Sequence, residues 1–318
     1  MRTVLASSTL LLNLLFAANI ASADQAEQMP DGNWRDPAPS AEAIKQLLAD
    51  TKKNMVPLPA GTFDMGDWGA EVNGSGLPFD GSSDSKPVHK VTLSAFSIGK
   101  YPITMAEFDI FTAAQRLPRI AQSDVEQKRR KPRNPAGVNW QGAKDYCTWL
   151  AKQSGEPYDL PTEAQWEYAA RGAGKRNLYP TNNGESQPGV NLASYEQRKS
   201  LGGLVEVGSF PPNPAGLHDF SNGISEWVRD WYDAGYYANS PVQDPAGPAK
   251  GSVHVYRGFA GSYSSAMSIK RWSRNNGDQH GTWTSFGKNK GDPDREVPYG
   301  KYAGVAGTAF RCALHTTH

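Results

Sequence analysis

The chain has 318 residues, with 33 Lys and Arg against 32 Asp and Glu, so no overall charge excess points to nucleic acid. Gly (32) and Pro (23) are frequent but aperiodic, which excludes a collagen-like fibre, and 9 Trp, 13 Tyr and 11 Phe exclude a disordered chain. What remains is a loop-rich globular protein with two cysteines to place.

Residues 1–23 read Met-Arg, an apolar stretch over 4–20, then Ala21-Ser22-Ala23 before Asp24. A positive start, a short apolar core and an Ala-x-Ala end predict a secretory signal peptide removed after Ala23, hence a periplasmic or secreted mature chain. No later stretch approaches the ~20 apolar residues of a spanning helix, so no membrane span is expected after cleavage. Export bears on the cysteines. In an oxidising compartment Cys147 and Cys312 pair if the fold brings them together; otherwise they are two separate buried thiols. Two Cys alone make no metal site.

Residues 24–54 read as a polar N-terminal arm with a helical stretch near 41–53, and 55–318 as one domain without an internal repeat. Residues 55–63 predict a short apolar strand, 66–87 a loop, and 88–98 an alternating, half-buried strand. Thr104, with Glu107 three residues on, predicts a capping box that opens a helix into Phe108, Ile110 and Phe111. After a basic loop at 128–133, Asn139 starts a second helix with Ala143, Tyr146, Cys147 and Leu150 on one face. Thr162 and Gln165 form another capping box, for a helix with Trp166, Ala169 and Ala170 on one side; Trp166 and Tyr168 read as core aromatics. From 190 onward short strands alternate with Gly, Pro and Asn, and Trp227, Trp231, Tyr232, Tyr236 and Tyr237 cluster. Short strands and a few helices without regular alternation predict an irregular α+β fold.

Several blocks, taken in order, carry a family resemblance. They are Met55-Val56-Pro57-Leu58-Pro59-Ala60-Gly61-Thr62-Phe63, Pro87-Val88-His89-Lys90-Val91, Leu160-Pro161-Thr162-Glu163-Ala164-Gln165-Trp166-Glu167-Tyr168-Ala169-Ala170-Arg171-Gly172, the run 216–227, Arg257-Gly258-Phe259-Ala260-Gly261-Ser262-Tyr263 and Phe310-Arg311-Cys312. Over about 55–314 the chain resembles the formylglycine-generating-enzyme (sulfatase-modifying factor) family. That resemblance implies an irregular, C-type-lectin-like α+β fold and a Cys147–Cys312 disulfide. The family's catalytic cysteine pair follows its Gly-Ser step, and those places fall here at Ser265 and Lys270. A hydroxyl and an ammonium supply no soft ligands for Cu(I), so neither copper nor formylglycine chemistry is expected.

The resemblance also implies Ca²⁺ at 219–226, through the carboxylates of Asp219 and Glu226 and the carbonyls of Asn222 and Ile224. The competing reading is an Asx-turn plus a surface Glu. Without the cysteine pair the chain is similar to the PvdO-like branch, which implies a periplasmic maturation or oxidation factor acting on a small molecule or peptide. Trp272, Arg274, Asn275, Asn276, His280 and Trp283 carry the residue types that stack on planar groups and pair with acidic ones; the alternative is a wet loop with buried indoles. The other functional expectation is a non-catalytic binding module for a periplasmic protein, such as a neutraliser of an effector.

Overall fold

The computed structural model describes residues 26–30, 33–72, 74–79, 83–122, 124–201, 203–220, 223–258, 271–275, 301–302 and 308–315, with backbone alone at 124, 125 and 271–275. The expected leader at 1–23 lies outside them, and no described helix is long and apolar enough to cross a membrane.

The described chain opens with an antiparallel ribbon, β1 (Glu27–Gln28) and β2 (Trp34–Arg35). Helix α1 (Ala41–Lys53) is capped by the Ser40 hydroxyl, which accepts from the Ala43 N–H at 3.1 Å, and ends on Lys52 and Lys53 near the negative end of its dipole. The expected single strand over 55–63 is two strands in different sheets, β3 (Met55–Leu58) and β4 (Gly61–Met65). They part at Pro59, whose carbonyl accepts from the Tyr168 hydroxyl at 3.2 Å. One helical turn, α2 (Gly69–Val72), interrupts the expected loop. The stretch 88–98 divides as well, into β5 (His89–Leu93) and β6 (Phe96–Gly99). Its break is imposed from far away: the N–H and hydroxyl of Ser94 both donate to the Asp244 carboxylate at 2.7 Å, and the chain crosses there between sheets.

Helix α3 (Met105–Ala114) opens on the predicted capping box. The Thr104 hydroxyl accepts from the Glu107 N–H, and the Glu107 carboxylate accepts from the Thr104 N–H at 2.7 Å. After α4 (Asp124–Gln127), α5 (Trp140–Ser154) starts at Asn139 as expected and stops at Gly155, whose φ of 76° is left-handed. Then follow β7 (Tyr158–Asp159), α6 (Glu163–Ala170) behind its Thr162–Gln165 box, and α7 (Tyr195–Ser200) behind a third box, Ser194 with Gln197. The last strands are β8 (Ser225–Trp231), β9 (Val253–Gly258), β10 (Arg271–Asn275), β11 (Thr308–Phe310) and β12 (Ala313–His315).

Among the described residues the strands form two four-stranded sheets, β10-β9-β8-β11 and β3-β6-β12-β7, and two pairs, β4-β5 and β1-β2. All ladders are antiparallel except β11 on β8. Strand periodicity sends neighbouring residues to opposite faces of the first sheet. Trp227 and Tyr256 join a core with Leu47, Phe108, Tyr146 and Leu150 of α1, α3 and α5, whereas Val228 and Val255 join a second core with Ile98 and Trp166 of β6 and α6. The first sheet is thus a partition between two cores. Gly258, at φ 85°, ends β9 where an added Cβ would lie 3.1 Å from the Ile224 carbonyl, so the close approach of β8 requires glycine.

Helix α6 departs from the one-sided expectation: all eight residues are buried, Glu163 and Glu167 included. Arg257 of β9 donates to Glu163 at 2.9 Å and to Glu167 at 2.6 Å; Arg171 Nε donates to Glu167 at 2.9 Å. Burial alone would raise the Glu167 pKa, but the Arg171 and Arg257 guanidiniums and the Gly66 N–H overcome it and hold the carboxyl below its ordinary range. A second buried pair joins Arg311, between β11 and β12, to Glu226 of β8 at 2.5 and 2.7 Å. The next residue, Cys312, forms the disulfide with Cys147 of α5, Cα–Cα 5.8 Å. The pairing that the residues left open is therefore made.

Two stability predictions follow from these pairs. Glu167→Gln keeps the side-chain shape but strips a buried counter-charge from two guanidiniums, so the urea unfolding free energy should fall by about 3–5 kcal/mol. The exposed control Glu185→Gln should change it by less than about 0.5 kcal/mol; equal, small losses in both would contradict the assigned pairing. Replacing Cys147 and Cys312 together by Ala removes a link spanning 165 residues and should cost about 2–5 kcal/mol in the same measurement.

Candidate functional site

The expected groove residues fall around β10, one of the two edge strands of the first sheet among the described residues. Its register sets Trp272 opposite Tyr256, Arg274 opposite His254 and Asn275 opposite Val253. Directly opposed residues of an antiparallel ladder occupy one face, so Trp272 and Arg274 hold positions on the face of Tyr256 and His254. Asn276, His280 and Trp283 lie outside the described residues, as do Ser265 and Lys270.

On that face His254 is sandwiched between two indoles. Its ring centroid lies 3.5 Å from Trp140, with 5° between planes, and 3.7 Å from Trp231, with 21° between planes. Three separate devices build this stack. Trp140 is the first residue of α5 and is fixed by its indole N–H donating to the Val228 carbonyl at 2.9 Å. Trp231 reaches His254 because the β8–β9 register shifts between Trp227 and Trp231, a bulge that re-aims the strand end. His254 itself donates from Nδ1–H to the Asp230 carbonyl at 3.1 Å, which leaves Nε2 as the bare nitrogen, buried and without a hydrogen-bond partner among the described residues.

Burial pushes the His254 pKa down to about 4, against hydrogen bonds to the Asp230 and Arg229 backbone that raise it. The imidazole is therefore neutral near pH 7, an acceptor through Nε2 flanked by two half-buried planar rings. As a general base it is weak, because its pKa sits far from neutral. Sequence reasoning clustered Trp231 with its neighbours but missed the stack, whose members come from three distant elements with no shared spacing.

Three of the four residues expected to hold calcium are among the described residues. Asp219 is buried at φ 71° and accepts from the Gly208 N–H at 2.8 Å; Ile224 is buried, and Asn222 lies outside the described residues. Glu226 is no surface Glu. Its Oε1 accepts from Arg311 Nη2 at 2.5 Å, and its Oε2 accepts from Arg311 Nε at 2.7 Å and from the Trp166 indole at 3.0 Å. Three of about four lone-pair positions are taken, and a divalent ion beside them would meet the guanidinium charge. Among the described residues no group of three or more His, Cys, Asp or Glu is placed to hold a metal ion.

An irregular α+β molecule with little regular secondary structure and a disulfide-tethered C-terminal strand pair is the class of the formylglycine-generating-enzyme fold. Residues 40–287 match the sulfatase-modifying factor enzyme 1-like domain, and the chain belongs to that family. The chain is 31% identical to the formylglycine-generating enzyme of Streptomyces coelicolor, over 71% of its own length and 84% of that protein's. It is 29% identical to the inactive C-alpha-formylglycine-generating enzyme 2 of Bos taurus, over 57% and 72%. Some relatives are matched over less of their length, such as 30% of the serine/threonine-protein kinase Pkn1 of Chlamydia pneumoniae. Among solved structures, PvdO from Pseudomonas aeruginosa superposes with a TM-score of 0.58 at 26% identity, over 82% of this chain and 94% of that one.

The His254 environment sets a pH dependence. The unfolded chain takes up a proton near pH 6.5, while the folded ring stays neutral to about pH 4. The stability it contributes is whole above pH 6.5 and is lost as pH falls from there toward 4. His254→Phe keeps a flat ring and cannot titrate, so its melting temperature should fall less steeply over that window than the wild-type value. Parallel slopes would mean that His254 charges freely in the folded protein.

Proposed function

We propose that the protein is an exported, PvdO-like maturation factor that acts on a small molecule or peptide and makes no formylglycine. The observation that carries the negative half is the fate of the sulfur: the chain's two cysteines form one disulfide, so there is no thiolate pair for Cu(I). The positive half is supported by the likeness to PvdO over 94% of that chain, by the leader-like residues 1–23, and by Trp272 and Arg274 in register with Tyr256 and His254. These residue types take a planar ligand by stacking and an acidic one by bidentate pairing. A second reading, a binding module without catalysis, is favoured by His254, because an imidazole with a pKa of about 4 is a poor base near pH 7.

Two measurements test the proposal. Incubated with copper, oxygen and a Cys-containing sulfatase peptide, the purified protein should yield no formylglycine by mass spectrometry; any turnover would overturn the negative half. Protein recovered from fractionated cells should lie outside the cytoplasm with its N-terminus at Asp24, and should release a bound planar or acidic compound on denaturation. Release of that compound chemically unchanged after incubation under oxygen would favour the binding module over the maturation factor.

A further inference from the structure

The chain contains four Asn-Gly pairs, at 73–74, 183–184, 222–223 and 276–277, and Asn183-Gly184 is the one whose two residues are both described. An asparagine before glycine is prone to lose its side-chain nitrogen, because no Cβ on the next residue hinders attack of the main-chain nitrogen on the side-chain carbonyl. Those two atoms are four bonds apart, so covalent geometry alone keeps them within about 5 Å of each other. The fold adds donors around the Asn183 carbonyl. Its Oδ1 accepts from the Glu185 N–H at 3.1 Å and from Asn191 Nδ2 at 3.0 Å. The first bond is an Asx-turn, which the left-handed Gly184, at φ 78°, allows. The second comes from a side chain that cannot wander. Asn191 is 3% exposed, its Oδ1 accepts from the Gln187 N–H at 2.9 Å, and its Nδ2 also reaches Asn182 Oδ1 at 3.2 Å and the Glu185 carbonyl at 3.0 Å. The Thr181 hydroxyl lies 3.3 Å from Asn183 Oδ1 but has a nearer acceptor in the Glu185 carbonyl, at 2.7 Å.

Two N–H donors converging on one carbonyl oxygen are the arrangement that stabilises the oxyanion of acyl transfer. The other participants are unencumbered. Neither the Gly184 N–H nor Asn183 Nδ2 has a hydrogen-bond partner among the described residues, and Asn183 is exposed to water. The neighbouring asparagines lack this combination: Asn182 precedes a residue with a side chain, and Asn191 is buried before Leu192.

We propose that Asn183 is a self-modification site, at which the folded chain converts its own asparagine into aspartate and isoaspartate. The Gly184 nitrogen bonds to Asn183 Cγ and loses its proton to water or hydroxide, while Oδ1 carries the negative charge of the tetrahedral intermediate between the two N–H donors. The Cγ–Nδ2 bond then breaks, Nδ2 takes up a proton and leaves as ammonia, and a five-membered imide remains. Water opens that ring at either carbonyl, giving aspartate or isoaspartate. One water is consumed, one ammonia is released, and nothing is oxidised or reduced. The aspartate product keeps the acceptor that both donors use, whereas isoaspartate lengthens the main chain by one atom beside Gly184. The test follows the purified protein at mildly alkaline pH by mass-spectrometric sequencing of the peptide that holds residues 182–191. The native protein should convert Asn183 about tenfold faster than the same protein unfolded in urea, where the Asn-Gly sequence acts alone. Asn191→Asp keeps the side-chain shape but turns the donor into an acceptor, so the native rate should fall about tenfold while the rate in urea stays that of the wild type. If this variant does not fold, the native-to-urea ratio of the wild-type protein decides alone. A native rate equal to or below the rate in urea, conversion at Asn182 instead, or an unchanged native rate in folded Asn191→Asp would each overturn the proposal.

Discussion

Six buried charges set the terms for the rest of the molecule. Arg171, Arg257 and Arg311, with Glu163, Glu167 and Glu226, are all within 2% of complete burial. Removing any of them from water is costly, and only short, multiple hydrogen bonds offset that cost. The bonds run between layers. Arg257 ties β9 to α6, Arg171 ties α6 to the carbonyl of Gly66 at the end of β4, and Arg311 ties the β11–β12 step to β8. A helix held by apolar contacts alone can rotate or slide with little penalty. A helix that must deliver Glu163 and Glu167 to one guanidinium cannot.

That constraint has a consequence for the site. The first sheet presents Arg257 to α6 on one face and His254 to Trp140 and Trp231 on the other, three residues apart on the same strand. The ion pairs therefore hold the strand from behind while the stack forms in front. β10, which carries Trp272 and Arg274, is an edge strand and depends on β9 for its position. A ligand surface on such an edge is as well placed as the strand that backs it.

What could be read from the sequence is what four residues can settle among themselves. The caps Thr104–Glu107, Asn139 and Thr162–Gln165 are local exchanges of hydrogen bonds and stand where their spacing put them. The same signal was present, unread, in Ser194 and Gln197. The Cys147–Cys312 pairing was left open by the residues themselves and was implied by the family resemblance. The failures share one cause. Ser94 breaks a good alternating strand because Asp244, 150 residues away, claims its N–H and hydroxyl. Glu226 is no surface residue, as the competing reading had it, but lies buried against Arg311, 85 residues downstream. Helix α6 showed a single apolar side because nothing within it announces that β9 will bring Arg257 to the other.

The two residues between β11 and β12 have a bearing on how the chain reaches this state. Thr308–Phe310 completes one sheet, Ala313–His315 enters the middle of the other, and both follow all other described strands in chain order. Neither sheet can therefore be complete before residue 315 has been made. Until residue 315 is free, β6 and β7 lack the strand that lies between them, and Glu226 is a buried-to-be carboxylate without its arginine. Such a topology favours late, all-at-once assembly over growth from the N-terminus, with long-range closure as the slow step. A chain still lacking these two strands keeps the edges of β6, β7 and β8 open to other strands.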